Sequence, residues 1–451
     1  MRVTEGQLTR ALSGWRAPGV PLTTALAAAI RDGILDGRLR PGDALPAERR
    51  LATILGLSRG TVVAALDALR AEGWVATRQG SASVLRLAPA AAERLAPRTA
   101  TGEDGIVDLR RAVPAAPAEA YQAAMTRAIE RSGRLLSEDG VPGPGLAELR
   151  ELIAQDYTRT GLATRPENVF VTTGARAAFA LLCAHLRPRN AAVEVPTYYG
   201  ALDLLRSTGA RLTGFHVSTN GWDLEQAAEA FQAARGGIAY LTPDFHNPTG
   251  ALMDATTRRE VADLAARNAV TVVQDETLRA LDLRPDPTPL PRIRGALLIG
   301  STSKTVWGGL RIGWLRAPTA MVNELESTAL SASLSAAPIQ QLIAAELLAD
   351  NEERLRQRLT RLRAQRDHLS ALLQGDLRWE FSTPHGGLSL WLRLTTSRAD
   401  EVVARAEPSG LRFSPGSRFS ADATLARFLR VPFTPPAEVL ERVAGVLREV
   451  G

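Results

Sequence analysis

Seven short β-branched runs, VFVTT, AAVEV, RLTGFHV, GIAYLTP, VTVVQDE, ALLIGS and RIGWL, alternate with helix-like stretches from about residue 169 onward. This alternation restricts the fold more than any other feature, because strands that return through helices build an α/β domain around a mainly parallel sheet. In such sheets ligands gather beyond the carboxyl ends of the strands, so the residues following each run are where chemistry is expected. Residues 318–451 read as a helix-rich connection followed by a smaller α/β lobe. Apolar residues at 45% exclude a chain dominated by disorder. The single cysteine, Cys183, excludes an internal disulfide framework and predicts an ordinary or buried thiol. The opening MRVTEGQLTR lacks the pattern of a signal peptide, and no stretch approaches the ~18 apolar residues of a membrane span. A cytoplasmic protein is expected, with no metal site and no membrane partner.

Ahead of the α/β pattern lies a small helical unit. Leu22, Leu26, Ile30 and Ile34 recur at steps of four, an apolar helical stripe over residues 22–36. Ala47 to Leu55 reads as a second helix, Gly56 supplies a left-handed cap, and Ser58 opens a third helix that runs to about Ala71. Val62, Leu66 and Leu69 form its apolar face, leaving Arg59, Gly60 and Val63 on the other side or in the first turn. Val75 to Arg78, a Gln79-Gly80 turn and Ser81 to Leu85 then read as a β-hairpin. Residues 1–90 hold twelve Arg and no Lys against seven acidic residues, a net of +5 out of +6 for the whole chain. That balance fits a polyanion partner and, on charge alone, equally fits a solvated surface.

Three helices with a tight turn before the third and a hairpin after it describe a winged helix-turn-helix. The stretch LPAERRLATILGLSRGTVVAALDALRAEGWVATRQGS resembles the DNA-binding module of GntR-type bacterial regulators. The resemblance implies that the third helix enters the major groove, with Arg49, Ser58, Arg59 and Thr61 facing DNA and Arg78 and Gly80 reaching from the wing. Gly60 and Val63 depart from it, standing where related proteins often carry polar or basic contacts. Residues 87–104, rich in Ala and Pro, are the expected linker between a winged helix over 1–86 and a second domain over 105–451.

Lys304 is the only lysine among 54 basic residues, and it lies just past a strand in GSTSKTVWGGLRIGW. A guanidinium stays protonated, whereas a lysine can lose its proton and condense with an aldehyde. Each neighbour alone has a plainer reading as well. Asp275, ending VTVVQDE, could pair with a protonated ring nitrogen or be a buried structural acid. Asn247 in PDFHNPTG could meet a ring hydroxyl or simply start a turn. Thr173-Gly174-Ala175-Arg176, between a strand and a helix, suits a phosphate, and Arg311 could grip the same group or be a surface charge.

Taken together, the strand-end turn, Tyr198 in VPTYYG, NPTG, Asp275 and SxSK with its downstream arginine follow the chain order of fold-type I aminotransferases, which use pyridoxal 5'-phosphate. The resemblance runs from about residue 106 to 450. It implies that Lys304 forms a Schiff base with the cofactor, Asp275 holds the pyridine nitrogen, Tyr198 stacks on the ring and Asn247 approaches its 3-hydroxyl. It also implies that Gly174, Ala175, Arg176, Ser301, Ser303 and Arg311 surround the phosphate, while Arg430 in RFLRVPF binds the α-carboxylate of an amino-compound effector. Three positions depart from the pattern. Thr277 stands where the family usually has a tyrosine, Arg176-Ala177 stands where relatives often show Gln-Gln, and no tyrosine occurs near Gly140.

A GntR-like winged helix joined to an aminotransferase-like domain is the architecture of MocR/GabR-type transcriptional regulators, including the PdxR branch. That resemblance implies a regulator of promoter DNA responsive to pyridoxal 5'-phosphate, built as a head-to-tail homodimer and controlling vitamin B6 or amino-compound metabolism. Transamination would be weak at most. The competing expectation is an active aminotransferase carrying a DNA-binding appendage.

Overall fold

A helix stripe can close a core only if its partners present apolar faces at matching spacing, and the N-terminal unit does so. In the computed structural model, which describes residues 3–16, 19–35, 39, 42–77, 83–86, 105–137, 140, 143–332, 335–421 and 425–451, Leu26, Ile30 and Ile34 of α2 (Leu22–Leu35) are buried. Leu22, expected in the same stripe, is 44% exposed as the first residue of the helix. A short preceding helix, α1 (Glu5–Ala11), adds Leu8 and Ala11 to this core. α3 (Glu48–Leu55) ends at Gly56, whose φ of +61° and ψ of 44° turn the chain, and α4 (Arg59–Ala71) leaves at a bend of 114°. Val62, Ala65, Leu66 and Leu69 of α4 are buried. β1 (Val75–Thr77) and β2 (Ser83–Leu85) pair antiparallel with Val75 opposite Leu85. Arg78, Gly80 and the expected linker 87–104 lie outside the described residues.

The chain divides into two compact units, Met1–Arg98 and Thr99–Gly451. In the second, an eight-stranded sheet has β4 (Val169–Thr172) at one edge. Its interior strands are β5 (Asn190–Val195), β6 (Arg211–Ser218), β8 (Ile238–Leu241), β9 (Thr271–Asp275), β10 (Leu297–Ser301) and β11 (Gly313–Arg316). The short β7 (Gly221–Trp222) closes the far edge. β5, β6, β8, β9 and β10 run parallel, and β11 is antiparallel to both β10 and β4. Alternate strand residues face two apolar layers: Val169 and Val171 pack with Ile153 and Phe231, whereas Phe170, Val193 and Ile299 pack with Phe179, Leu202 and Leu325. Cys183 lies in the second layer, where burial pushes its thiol up to about 12.

A smaller lobe holds a four-stranded antiparallel sheet of β12 (Trp379–Glu380), β13 (Ser389–Leu394), β16 (Phe428–Pro432) and β15 (Ser414–Pro415), in that order. The sequence pattern did not reveal that β3 (Val107–Asp108) pairs in parallel with β14 (Leu411–Arg412), which anchors the start of this unit to its last hundred residues. Among the described residues no single helix is long and apolar enough to cross a membrane. One bent pair, α3 with α4, passes that test by length and composition, and its Leu51, Ala52, Val62, Ala65, Leu66 and Leu69 lie in the N-terminal core.

Candidate cofactor cavity and DNA-binding face

The strand ends converge. β4 ends one residue before Thr173-Gly174, β5 leads into Tyr198, β8 into the loop that bears Asn247, β9 ends on Asp275 and β10 on Ser301. Gly174, Ala175, Arg176, Tyr198, Asn247, Asp275, Ser301, Ser303, Lys304, Arg311 and Arg430 all line one cavity of about 220 Å³. The structure therefore brings together every cavity residue singled out in the sequence.

One part of the cavity joins a helix N-terminus to an arginine. Gly174, at φ +127°, is the residue before α5 (Ala175–Leu186), and the first amides of a helix have no partner within it. A Cβ on Gly174 would stand 3.8 Å from the Arg311 guanidinium, so turn and cation enclose a narrow cradle. Thr172 Oγ1 donates to the Gly174 carbonyl at 3.0 Å, and Ser301 Oγ donates to Ile312 O while accepting the Ser303 amide at 3.1 Å. Tyr198 folds its ring over Gly200, where a Cβ would come within 2.5 Å of the phenol ring.

In another part of the cavity, Lys304 lies in a π-type turn over Ser303–Trp307, and its Nζ donates to Ala112 O at 2.6 Å. Burial, with the cations of Arg430 and Arg111 against the pull of Asp275, brings its amine down to about 8. Asp275 is 6% exposed, and burial raises its carboxyl. Hydrogen bonding from the Tyr240 phenol to Oδ2 and from Thr277, whose side chain contributes and whose amide meets Oδ1 at 2.8 Å, opposes that shift.

Arg430 is 3% exposed; it donates to Arg110 O at 2.6 Å and to Asn247 Oδ1 at 3.3 Å, and its guanidinium lies 5.0 Å from the Phe419 ring centre. Burial brings it down to about 10, which leaves it cationic at neutral pH. Its Nε is a buried polar atom with no hydrogen-bond partner among the described residues. Such an atom is satisfied by an anion or water.

Several residues of this cavity escaped the sequence reading. Tyr240 is one: it stands in β8 opposite Val273, two residues before Asp275, and only strand register reveals the pair. Arg110 and Arg111, from the segment after β3, line the same cavity. His246 is held from behind by buried Glu194 at 3.2 Å and by Thr249 at 2.9 Å.

On the N-terminal unit, Ser58 caps α4 by accepting the Thr61 amide at 3.0 Å, and its hydroxyl meets Thr61 Oγ1 at 2.8 Å. Arg49, Ser58, Arg59 and Gly60 are exposed, and Thr61 is half-buried. Of the six residues expected to face DNA, Arg49 lies in the first turn of α3 and Ser58, Arg59 and Thr61 lie at the start of α4, and Arg78 and Gly80 fall outside the described residues.

The family model for aminotransferase class I and II matches residues 116–447, and that for bacterial regulatory proteins of the gntR family matches residues 22–85. Similar chains include a probable rhizopine catabolism regulatory protein MocR of Rhizobium meliloti, 29% identical over 89% of this chain and 88% of that one. The HTH-type pyridoxine biosynthesis transcriptional regulator PdxR of Corynebacterium glutamicum is 28% identical over 88% of each. Among solved structures, LysN, an alpha-aminoadipate aminotransferase of Thermus thermophilus complexed with N-(5'-phosphopyridoxyl)-L-leucine, superposes with a TM-score of 0.70 at 26% identity. That match covers 77% of this chain and 93% of LysN. The chain belongs to the aminotransferase class I and II family in its MocR-type form, a helix-turn-helix transcriptional regulator of the GntR group with an aminotransferase-like domain.

Proposed function

We propose that the second unit senses pyridoxal 5'-phosphate and that the winged helix reports its state to promoter DNA. The observation that carries this reading is the cavity itself, where the only lysine of the chain, brought down to about 8, shares one space with a buried carboxylate and the Gly174–Arg311 cradle. The Gly174–Arg311 cradle and the unpartnered Nε of Arg430 fit a ligand with a phosphate and a carboxylate. When bound, the cofactor supplies an aldehyde that an amine can add to and a pyridine ring that withdraws electrons.

Lys304 would hold the aldehyde end and Asp275 the ring nitrogen. Asn247 would meet the ring hydroxyl and Tyr198 would cover the ring face. Gly174, Ala175, Arg176, Ser301, Ser303 and Arg311 would bind the phosphate, leaving Arg430 for the carboxylate of an amino-compound effector. Arg49, Ser58, Arg59 and Thr61, with Arg78 and Gly80 of the wing, would contact DNA, and residues 87–104 would connect winged helix and sensor. Binding can change regulation only by favouring one of two arrangements of the protein, which we assign to a head-to-tail homodimer. The similarity to PdxR supports genes of vitamin B6 metabolism as the target, in a cytoplasmic setting.

The test is a titration of promoter duplex with full-length protein, with and without pyridoxal 5'-phosphate, monitored beside the visible absorption spectrum. A cofactor band that is missing in Lys304→Ala, with DNA affinity that changes on cofactor addition, supports the reading. A band without any change in DNA affinity removes the sensing role. Steady turnover of an amino donor and a keto acid would favour a working aminotransferase instead.

A further inference from the structure

The outer face of α4 has an unusual surface for a helix that reads bases. Arg59 stands in the first turn, and beyond it a shallow depression is lined by Glu48, Arg59, Gly60, Val63, Ala64 and Asp67. Its floor is apolar: Gly60 and Ala64 are exposed and Val63 is half-buried. The two carboxylates at its rim are tied back by one guanidinium, since Arg70 Nη1 donates to Asp67 at 2.5 Å and Nη2 to Glu48 at 3.1 Å. One guanidinium thus offsets one of the two negative charges, and Arg59 on the same rim supplies a second positive charge toward a polyanion.

Gly60 is not required by the fold. Among the described residues a Cβ there would meet only Ser58 Oγ, at 3.8 Å, and its backbone lies inside α4 with no left-handed φ. Glycine is the poorest helix former after proline, so alanine would serve the winged helix better. The missing side chain leaves room outside the protein instead. In the major groove the one base feature that an apolar surface can recognise is the C5 methyl of thymine.

We propose, resting on the DNA-binding reading above, that this chain selects its operator by thymine methyls seated on the Gly60–Val63–Ala64 strip. Gly60 lets the helix backbone approach the base edges, and Arg59 supplies the polar contact at the strip's N-terminal end. The specificity is thus read by shape and methyl burial rather than by a long polar side chain at position 63.

The experiment starts from the duplex that full-length protein enriches from a random-sequence pool, with and without pyridoxal 5'-phosphate. Each thymine is then replaced singly by uracil, which deletes the methyl and leaves pairing and phosphates intact. We expect one or two positions per half-site where affinity falls about fourfold, the transfer value of one buried methyl, with the salt slope unchanged. At those positions Val63→Ala should bind thymine and uracil duplexes more nearly alike. Gly60→Ala should raise the unfolding midpoint of the N-terminal unit yet weaken operator binding about tenfold, as overpacking an interface does. If the protein enriches no duplex, the DNA-binding reading itself falls. If it binds but every uracil duplex and Gly60→Ala behave like the parent pair, the methyl readout is wrong while DNA binding stands.

Discussion

The phenol of Tyr240 donates a hydrogen bond to Oδ2 of Asp275, and both residues are buried. With the Thr277 amide on Oδ1, this bond favours an ionised carboxylate that burial would otherwise protonate. The carboxyl nevertheless ends above its ordinary value, so the folded state binds a proton between the unfolded and folded values, and stability falls as pH rises through that window. Tyr240→Phe should widen the window. Where the acid is charged, the variant should lose about 1.5–3 kcal/mol relative to the parent, so the loss should be larger at pH 7 than at pH 4. Denaturant unfolding of the cofactor-free chain at the two pH values measures this; equal losses would mean that the phenol does not serve the charged form.

Lys304 leads to a kinetic expectation of the opposite sign. An amine brought to about 8 is neutral in roughly a quarter of molecules at pH 7.5, against about a thousandth for an ordinary lysine. Capture of pyridoxal 5'-phosphate, followed by stopped-flow absorption, should therefore speed up through pH 8 and level off above it. Folding and charge are linked here too: because the folded value is lowered, this residue's contribution to stability increases as pH rises from about 8 toward 10.5. A capture rate still climbing tenfold per pH unit at pH 9 would show that the amine is not depressed.

The strand-end chemistry was legible because Gly174, Asn247, Asp275 and Lys304 each end or follow a different apolar run, so local pattern alone placed them at one edge of the sheet. The solitary lysine then singled out the amine. Tyr240 was hidden because it reads as one more strand aromatic, and its role depends on register with Val273 across β8 and β9. Arg111 was hidden for a related reason, since the β3–β14 pairing that brings its segment to the cavity joins residues about 300 positions apart. Leu22 shows the converse error: periodicity marks a stripe, but only the neighbours decide where burial along it begins.

Arg59 is exposed in the first turn of α4, with its helix capped independently by Ser58 and Thr61. Arg59→Ala should accordingly leave folding and the cofactor band untouched. It should weaken operator binding and reduce the slope of log affinity against log salt by about one. Binding isotherms at several salt concentrations test this, and an unchanged slope would place Arg59 away from the phosphates.

Gly313 offers the sharpest test of the anion cradle, because its importance lies in what it leaves empty. It opens β11 opposite Thr172 of β4, and a Cβ there would come within 2.4 Å of the Gly174 carbonyl carbon and 2.6 Å of the Ala175 nitrogen. Those are backbone atoms of the very turn that presents amides to the cavity, and they cannot step aside as a side chain would. Gly313→Ala must displace either β11, which is held on both sides by antiparallel pairing, or the turn. The turn is the softer of the two. Affinity for pyridoxal 5'-phosphate should then fall about tenfold or more, and inorganic phosphate should compete less well, while pyridoxal lacking the phosphate should be affected little. Equilibrium absorption titrations with the two aldehydes provide the comparison. Equal losses for both would point to general collapse of the cavity, and no loss for either would mean that Gly174 and Ala175 do not bind the phosphate.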